Sequence, residues 1–218
     1  MASAGRDRPL RRALVAAAVL AVAAVTAVGL VALVHDRAAP YIEASQRQAR
    51  MRQLTAILGD VTYDNDPLTD ALQVRDPEYL GSSEPLTLHR VRRAGQPVAV
   101  LVNALAPNAY SGVIHLLIAV DVQGHVLGVR VLDHRETPGL GDFIDTRRSD
   151  WIRGFDGRSL GAPPPDRWHV RKDGGDFDQY TGATVTSRAV VHGVHDALTW
   201  IERNRTHLFG APAAPAAP

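Results

Sequence analysis

At 218 residues, 45% hydrophobic and 22% charged, the chain has enough apolar material for a short anchor and one domain with its own core. Four arginines (Arg6, Arg8, Arg11, Arg12) and Asp7 precede a long apolar run. The rest carries 20 basic against 22 acidic residues, a balance that argues against a nucleic-acid partner, which needs a concentrated basic face, while the absence of cysteine excludes disulfides, thiolate zinc sites, cysteine nucleophiles, cysteine-held iron–sulfur clusters and thioether-linked haem.

From Ala13 to Val34 no residue is charged, and as a helix this run rises about 33 Å against a hydrocarbon core of ~30 Å. Thr26 and Gly29 are compatible with a span, since a Thr hydroxyl bonds back to its own helix. The run is longer than the ~7 to 15 apolar residues of a signal peptide, so it reads as a retained anchor. The upstream arginines keep residues 1–12 in the cytoplasm by the positive-inside rule, which puts the chain from about His35 onward on the other side. The expected organisation is therefore a cytoplasmic N-terminus (1–12), a transmembrane helix (13–34), a periplasmic domain (35–209) and a disordered Ala/Pro tail (210–218).

Beyond the anchor, Pro40 to Leu58 reads as a stalk or packing helix stopped by Gly59, and residues 60–85, with Asp66-Pro67 and Asp76-Pro77, read as loop with short elements. Four strands follow. Leu86 to Val91 and Val98 to Leu105 flank Ala94-Gly95-Gln96, and Val113 to Val122 and Val126 to Leu132 flank Gln123-Gly124, giving two hairpins of an antiparallel sheet. Phe143 to Phe155 predicts a short helix and Trp168 to Arg171 a strand, with Ala162-Pro163-Pro164-Pro165 between them. Val190, Val191, Val194, Ala197, Leu198 and Ile201 repeat at helical spacing in a last helix, Ser187 to Asn204, with Thr186 or Ser187 as its N-cap. The fold class is α+β: a single N-terminal transmembrane helix, then an antiparallel sheet packed by helices.

The segment Asp178-Gln179-Tyr180-Thr181-Gly182-Ala183-Thr184-Val185-Thr186-Ser187 gathers hydroxyls and free backbone N–H groups where the last helix begins, a good place for a phosphate. On the residues alone it reads more readily as a turn whose Thr and Ser merely cap the helix. A second segment, Asp133-His134-Arg135-Glu136-Thr137-Pro138-Gly139-Leu140-Gly141, has a proline and two glycines that make a fixed turn with little bulk, able to lie against a flat ring.

The first segment resembles the flavinylation motif of the FMN-binding subunits of the Rnf and Na⁺-pumping NADH:quinone reductase complexes: Asp, two variable residues, Ser or Thr, Gly, Ala and the acceptor Thr. Asp178, Thr181, Gly182 and Ala183 match its recognition positions, and Thr184 matches the residue esterified by the FMN phosphate. The second segment is similar to the loop that family places beside the flavin. The likeness spans the anchor and the whole domain and is nearest to the RnfG family of the Rnf complex, the related NqrC proteins of the quinone reductase being usually longer.

The resemblance implies covalent FMN on Thr184, with Thr181, Gly182, Ala183, Val185, Thr186 and the loop Glu136, Thr137, Pro138, Gly139, Leu140 and Gly141 around it. It implies a flavin transferase for maturation, integral-membrane partner subunits in the inner membrane, and a place in electron transfer between NADH and ferredoxin coupled to H⁺ or Na⁺ translocation. No catalytic acid, base or nucleophile is expected in this chain. A membrane-tethered scaffold without flavin is the alternative from another class. His192 and His195, with Asp196, could be drawn as a metal site, but the i, i+3 histidines have no obvious third ligand; Trp151, Trp168 and Trp200 read as core, and Asp142, Asp145 and Asp150 as a solvated face.

Overall fold

The structure is a computed structural model that describes residues 7–210, so the start of the expected cytoplasmic segment and residues 211–218 of the expected tail lie outside the described residues. The chain divides into two units at Arg52/Gln53. A single helix, α1 (Asp7–Leu58), replaces the two expected helices, with Pro40 inside it. Pro40 lacks the N–H for one helical hydrogen bond and its ring crowds the Asp36 carbonyl, but the Ala, Arg, Gln and Glu around it are strong helix formers and the helix continues through it.

In the first unit every Leu and Val from Leu14 to Val34 is exposed, the most apolar 18-residue stretch has a mean hydropathy of 2.7, and Thr26 Oγ1 donates to the Val22 carbonyl at 2.8 Å. The helix is long and apolar enough to cross a membrane.

The second unit begins with the end of α1, which Gly59 stops at φ +57°. Five strands, β1 (Ala71–Asp76), β2 (Ser82–Arg93), β3 (Gln96–Ala109), β4 (Gly112–Asp121) and β5 (Val126–Asp133), form an antiparallel meander in the order β1-β2-β3-β4-β5. The edge strand β1 is one more than expected: it is short, mixed in polarity and lies between two Asp-Pro pairs, so alternation does not announce it. Ala94 and Gly95, at φ +50° and +75°, form the two-residue β2–β3 turn, and Pro97 and Pro107 lie where the register shifts.

Both faces of the sheet are covered. Leu54, Ile57 and Leu58 of α1 pack with Val91, Ala99, Leu101, Leu117 and Ala119 on one face. On the other face, Val100, Val102, Leu116 and Ile118 meet helix α2 (Thr184–Arg203), which a short α3 (Arg205–Gly210) follows. Gly193 lets α2 approach closely, for a Cβ there would lie 3.1 Å from that of Ala106.

The long connection between β5 and α2 is irregular. The expected helix over 143–155 is two 3₁₀ turns, Asp142–Ile144 and Trp151–Phe155. Between them, polar side chains take the backbone groups a helix would use: Ser149 Oγ donates to the Phe143 carbonyl at 2.7 Å, and Asp145 Oδ1 accepts from Arg147 N–H at 2.9 Å. The expected strand at Trp168 to Arg171 reduces to a single bridge, Val170 to Phe177, before another 3₁₀ turn. Aromatic packing holds the connection together, running from Tyr180 stacked on Phe143 (4.8 Å), through Trp151 and Phe155, to Phe177 and Trp168.

Candidate functional site

The turn Asp178 to Ala183 leaves the core at Phe177 and is fastened along its length. Trp151 Nε1–H donates to the Asp178 carbonyl at 2.8 Å, Arg171 pairs with the Asp178 carboxylate at 3.0 Å on the surface, and Lys172 N–H donates to Gln179 Oε1 at 3.2 Å. Ser187 Oγ accepts from Tyr180 N–H at 3.3 Å and donates to the Ala183 carbonyl at 3.2 Å. Gly182 has φ +87°, and a Cβ there would lie 3.1 Å from Leu140 Cδ1, so the turn rests against the second motif.

Helix α2 starts at Thr184, three residues earlier than expected. The expected caps, Thr186 and Ser187, are buried in its first turn, Ala183 occupies the N-cap position, and no side chain caps the helix. Thr184 is therefore the first helical residue, and the N–H groups of 184–186 have no carbonyl four residues back within the helix. Among the described residues the half-buried Thr184 hydroxyl has no hydrogen-bond partner.

The loop after β5 divides into exposed and buried parts. Thr137, Pro138, Gly139 and Leu140 are exposed, whereas Glu136 is 4% exposed and Gly141 is buried. Gly141 N–H donates to the Thr137 carbonyl at 2.9 Å, closing the turn. Asp142, expected on a solvated face, is buried instead: it accepts from Gly139 N–H at 2.8 Å and pairs with Arg148 at 3.2 Å, which fixes the loop from below.

The fold brings the two motifs together through Glu136, whose side chain accepts from the Thr186 hydroxyl, and through Gly182 against Leu140. Asp178, Thr181, Gly182 and Val185 are exposed, whereas Ala183, Thr186 and Glu136 are buried and support the surface from beneath. An open cavity of about 470 Å³ lies beside them, lined by Pro138, Gly139, Leu140, Phe143, Arg148 and Tyr180 among others. That volume lies within the ~300 to 1,000 Å³ typical of small-molecule sites. Phe143, Arg148 and Tyr180 escaped the sequence reading. Tyr180 occupies a variable position inside the motif, which was the one available signal, while the other two arrive only through tertiary packing.

The histidines of α2 face different neighbours: His192 packs edge-on to His169 at 5.7 Å, and His195 lies 5.4 Å from Trp168. Burial and the nearby His169 push the His192 imidazole below its usual value. A second hollow, of about 320 Å³ near Gln123, Leu160 and Glu202, contains none of the motif residues.

Comparison with known proteins adds two family models: an FMN-binding domain matches residues 109–199, and the RnfG N-terminal region matches residues 9–57. The chain is 47% identical to the G subunit of the ion-translocating oxidoreductase complex of Pseudomonas aeruginosa over 98% of each chain. It is 41% identical to the proteins of the same name from Shewanella baltica, over 88% of this chain and 91% of that one, and Vibrio cholerae, over 89% and 92%. The residues present fit FMN: a hydroxyl without a partner, free amides at a helix start for a phosphate, a glycine with positive φ, and a cavity floored by Leu140 and Tyr180.

Proposed function

Because the chain belongs to the RnfG family, the G subunits of ion-translocating oxidoreductase complexes, we propose that it is a membrane-anchored electron carrier whose FMN is esterified through its phosphate to Thr184. The observation that carries this reading is the position of Thr184. It opens α2 with an unpartnered hydroxyl, in a turn fastened against the loop that lines the cavity.

FMN, when bound, exchanges one or two electrons, so a protein that holds it links a two-electron donor to one-electron carriers. In this reading the chain supplies position. Thr184 tethers the phosphate, the amides of 184–186 donate to it at the positive end of α2, and Leu140, Pro138 and Tyr180 give the ring an apolar surface. Arg148 and Tyr180 bring side-chain hydrogen-bond donors to the cavity lining, and the exposed Thr137 hydroxyl lies next to Pro138 at its edge. A covalent tether prevents loss of the cofactor into a dilute compartment. A carrier working between other subunits needs no acid, base or nucleophile of its own for substrate chemistry.

The wider placement follows the same reading. The basic residues ahead of the apolar run keep the N-terminus in the cytoplasm, so α1 crosses the inner membrane and the flavin domain lies in the periplasm, where a flavin transferase loads it. Its partners are integral-membrane subunits of an Rnf-type complex that moves electrons between NADH and ferredoxin while translocating H⁺ or Na⁺.

Peptide mass mapping of the protein from native membranes tests this directly. The peptide containing Thr184 is expected to carry one FMN, and a version lacking residues 1–34, retained in the cytoplasm, is expected to carry none. An unmodified native peptide, with the transferase present and active on another substrate, would leave a flavin-free scaffold as the better account.

A further inference from the structure

The N-terminus of α2 is held in an unusual way. Its third residue, Thr186, stands where a capping box would turn a side chain back toward the N-cap, but Ala183 offers no side-chain partner. The Thr186 hydroxyl donates instead to Oε2 of Glu136, fifty residues earlier. The other oxygen, Oε1, accepts from Ser111 N–H at 2.8 Å, and Glu136's own N–H donates to His134 Nδ1 at 3.1 Å. One side chain thereby joins the β3–β4 turn, the loop after β5 and the first turn of α2.

The joint is closed to ligands. Glu136 is 4% exposed and Thr186 1%, and both Glu136 oxygens are occupied by the chain itself. Gly141 is part of the device, since a Cβ there would lie 2.8 Å from Glu136 Cβ and 2.9 Å from Oε2. Residues two apart on a helix point about 200° away from each other, so a pin on the inward side of Thr186 turns Thr184 outward.

We infer that Glu136 is a positioning residue for flavin attachment: by holding Thr186 it sets the rotation of the first turn of α2, and so the direction of the Thr184 hydroxyl and of the neighbouring amides. This rests on the reading of Thr184 as the acceptor. In the attachment step the Thr184 Oγ forms a bond to the flavin-side phosphorus of flavin adenine dinucleotide. The pyrophosphate bond breaks, AMP leaves and the hydroxyl proton passes to solvent, with no oxidation or reduction. Glu136 touches none of the reacting atoms. Its part is to keep the acceptor aimed, and a misplacement of about 1 Å can cost ~100-fold in rate.

The test uses the full chain in detergent, purified without flavin, with purified flavin transferase and flavin adenine dinucleotide, following intact mass against time below the melting temperature of every variant. Glu136→Ala is expected to slow loading by at least about tenfold. Glu136→Gln is expected to restore most of the rate, because its amide oxygen still accepts from Ser111 and its amide nitrogen still bonds the Thr186 oxygen. If Glu136→Ala does not fold, Thr186→Val, nearly the same shape without the hydroxyl, replaces it, with Thr186→Ser as its rescue. A folded Glu136→Ala or Thr186→Val loading at the wild-type rate overturns the inference, as does a Gln variant as slow as Ala. A wild-type chain that takes up no FMN overturns the acceptor assignment instead, so the two failures are distinct.

Discussion

Thr184→Ala is expected to remove all covalent FMN and to leave the domain folded. The first part follows from chemistry, because alanine offers no oxygen for a phosphoester. The second follows from the site: the Thr184 hydroxyl has no partner among the described residues, and alanine is the better helix former, so the stability change stays within ~0.5 kcal/mol of zero. No neighbour takes over, since Thr186 and Ser187 are buried and already hydrogen-bonded, and exposed Thr181 precedes the helix. Intact mass and visible absorbance after denaturation give the flavin content, and thermal melting gives the fold. Thr184→Ser, which keeps a hydroxyl, is expected to retain flavin. Undiminished flavin in Thr184→Ala would move the attachment elsewhere, with Thr181 the first place to look.

The largest loss of stability is expected from Asp70→Ala. Asp70, 7% exposed, stands between Arg90 and Arg92, each 2% exposed: Arg90 Nε donates to Oδ1 and Arg92 Nε to Oδ2, both at 2.8 Å. Asn65 completes the cluster, donating to the Arg90 carbonyl at 2.9 Å and accepting from Arg92 N–H at 2.8 Å. Alanine would leave two buried guanidinium groups without their shared counter-charge, at a cost of ~3 to 5 kcal/mol. Urea unfolding at neutral pH measures it, and a loss below ~1 kcal/mol would contradict the account.

The pH dependence has a definite sign. Burial by itself would raise the Asp70 carboxyl, but the hydrogen bonds from Arg92 and Arg90, together with their charges, hold it below its ordinary 3.8. A carboxyl lowered by folding stabilises the native state above its unfolded value, and that stability is lost as pH falls through the lower, folded value. The wild type should therefore lose this contribution as pH falls below about 4, and Asp70→Asn should lack that part of the dependence.

The long-range order of the fold was legible because its signals are local. The uncharged run Ala13 to Val34, the Val-, Leu- and Ile-rich runs of β2 to β5 between turn residues and the apolar repeat of α2 each follow from residues adjacent in sequence. What was hidden depends on partners far away. β1 is recognisable only once it pairs with β2, and the 3₁₀ turns around Phe143 and Trp151 replace a helix because Ser149 and Asp145 bind nearby backbone. The start of α2 was misplaced for a related reason. Thr186 and Ser187 have the chemistry of caps, but one is committed to Glu136 and the other to Ala183 and Tyr180, so the helix begins uncapped at Thr184. The two motifs could be read in one dimension. Their junction at Glu136, the burial of Asp142 and the Phe143–Tyr180 stack could not.

The indole of Trp151 has an optical consequence. Of the three tryptophans it is the one hydrogen-bonded to the motif turn, through the Asp178 carbonyl, and its ring stands edge-on to Phe143 at 5.0 Å. Tryptophan emits where flavin absorbs, so loading Thr184 places a resonance-energy acceptor six residues along the chain from the residue that holds the donor. Tryptophan emission should fall in step with flavin attachment, giving a continuous reporter of loading in the folded protein. Trp151→Phe should show a smaller fractional fall, whereas an equal fall would assign the quenching to Trp168 and Trp200.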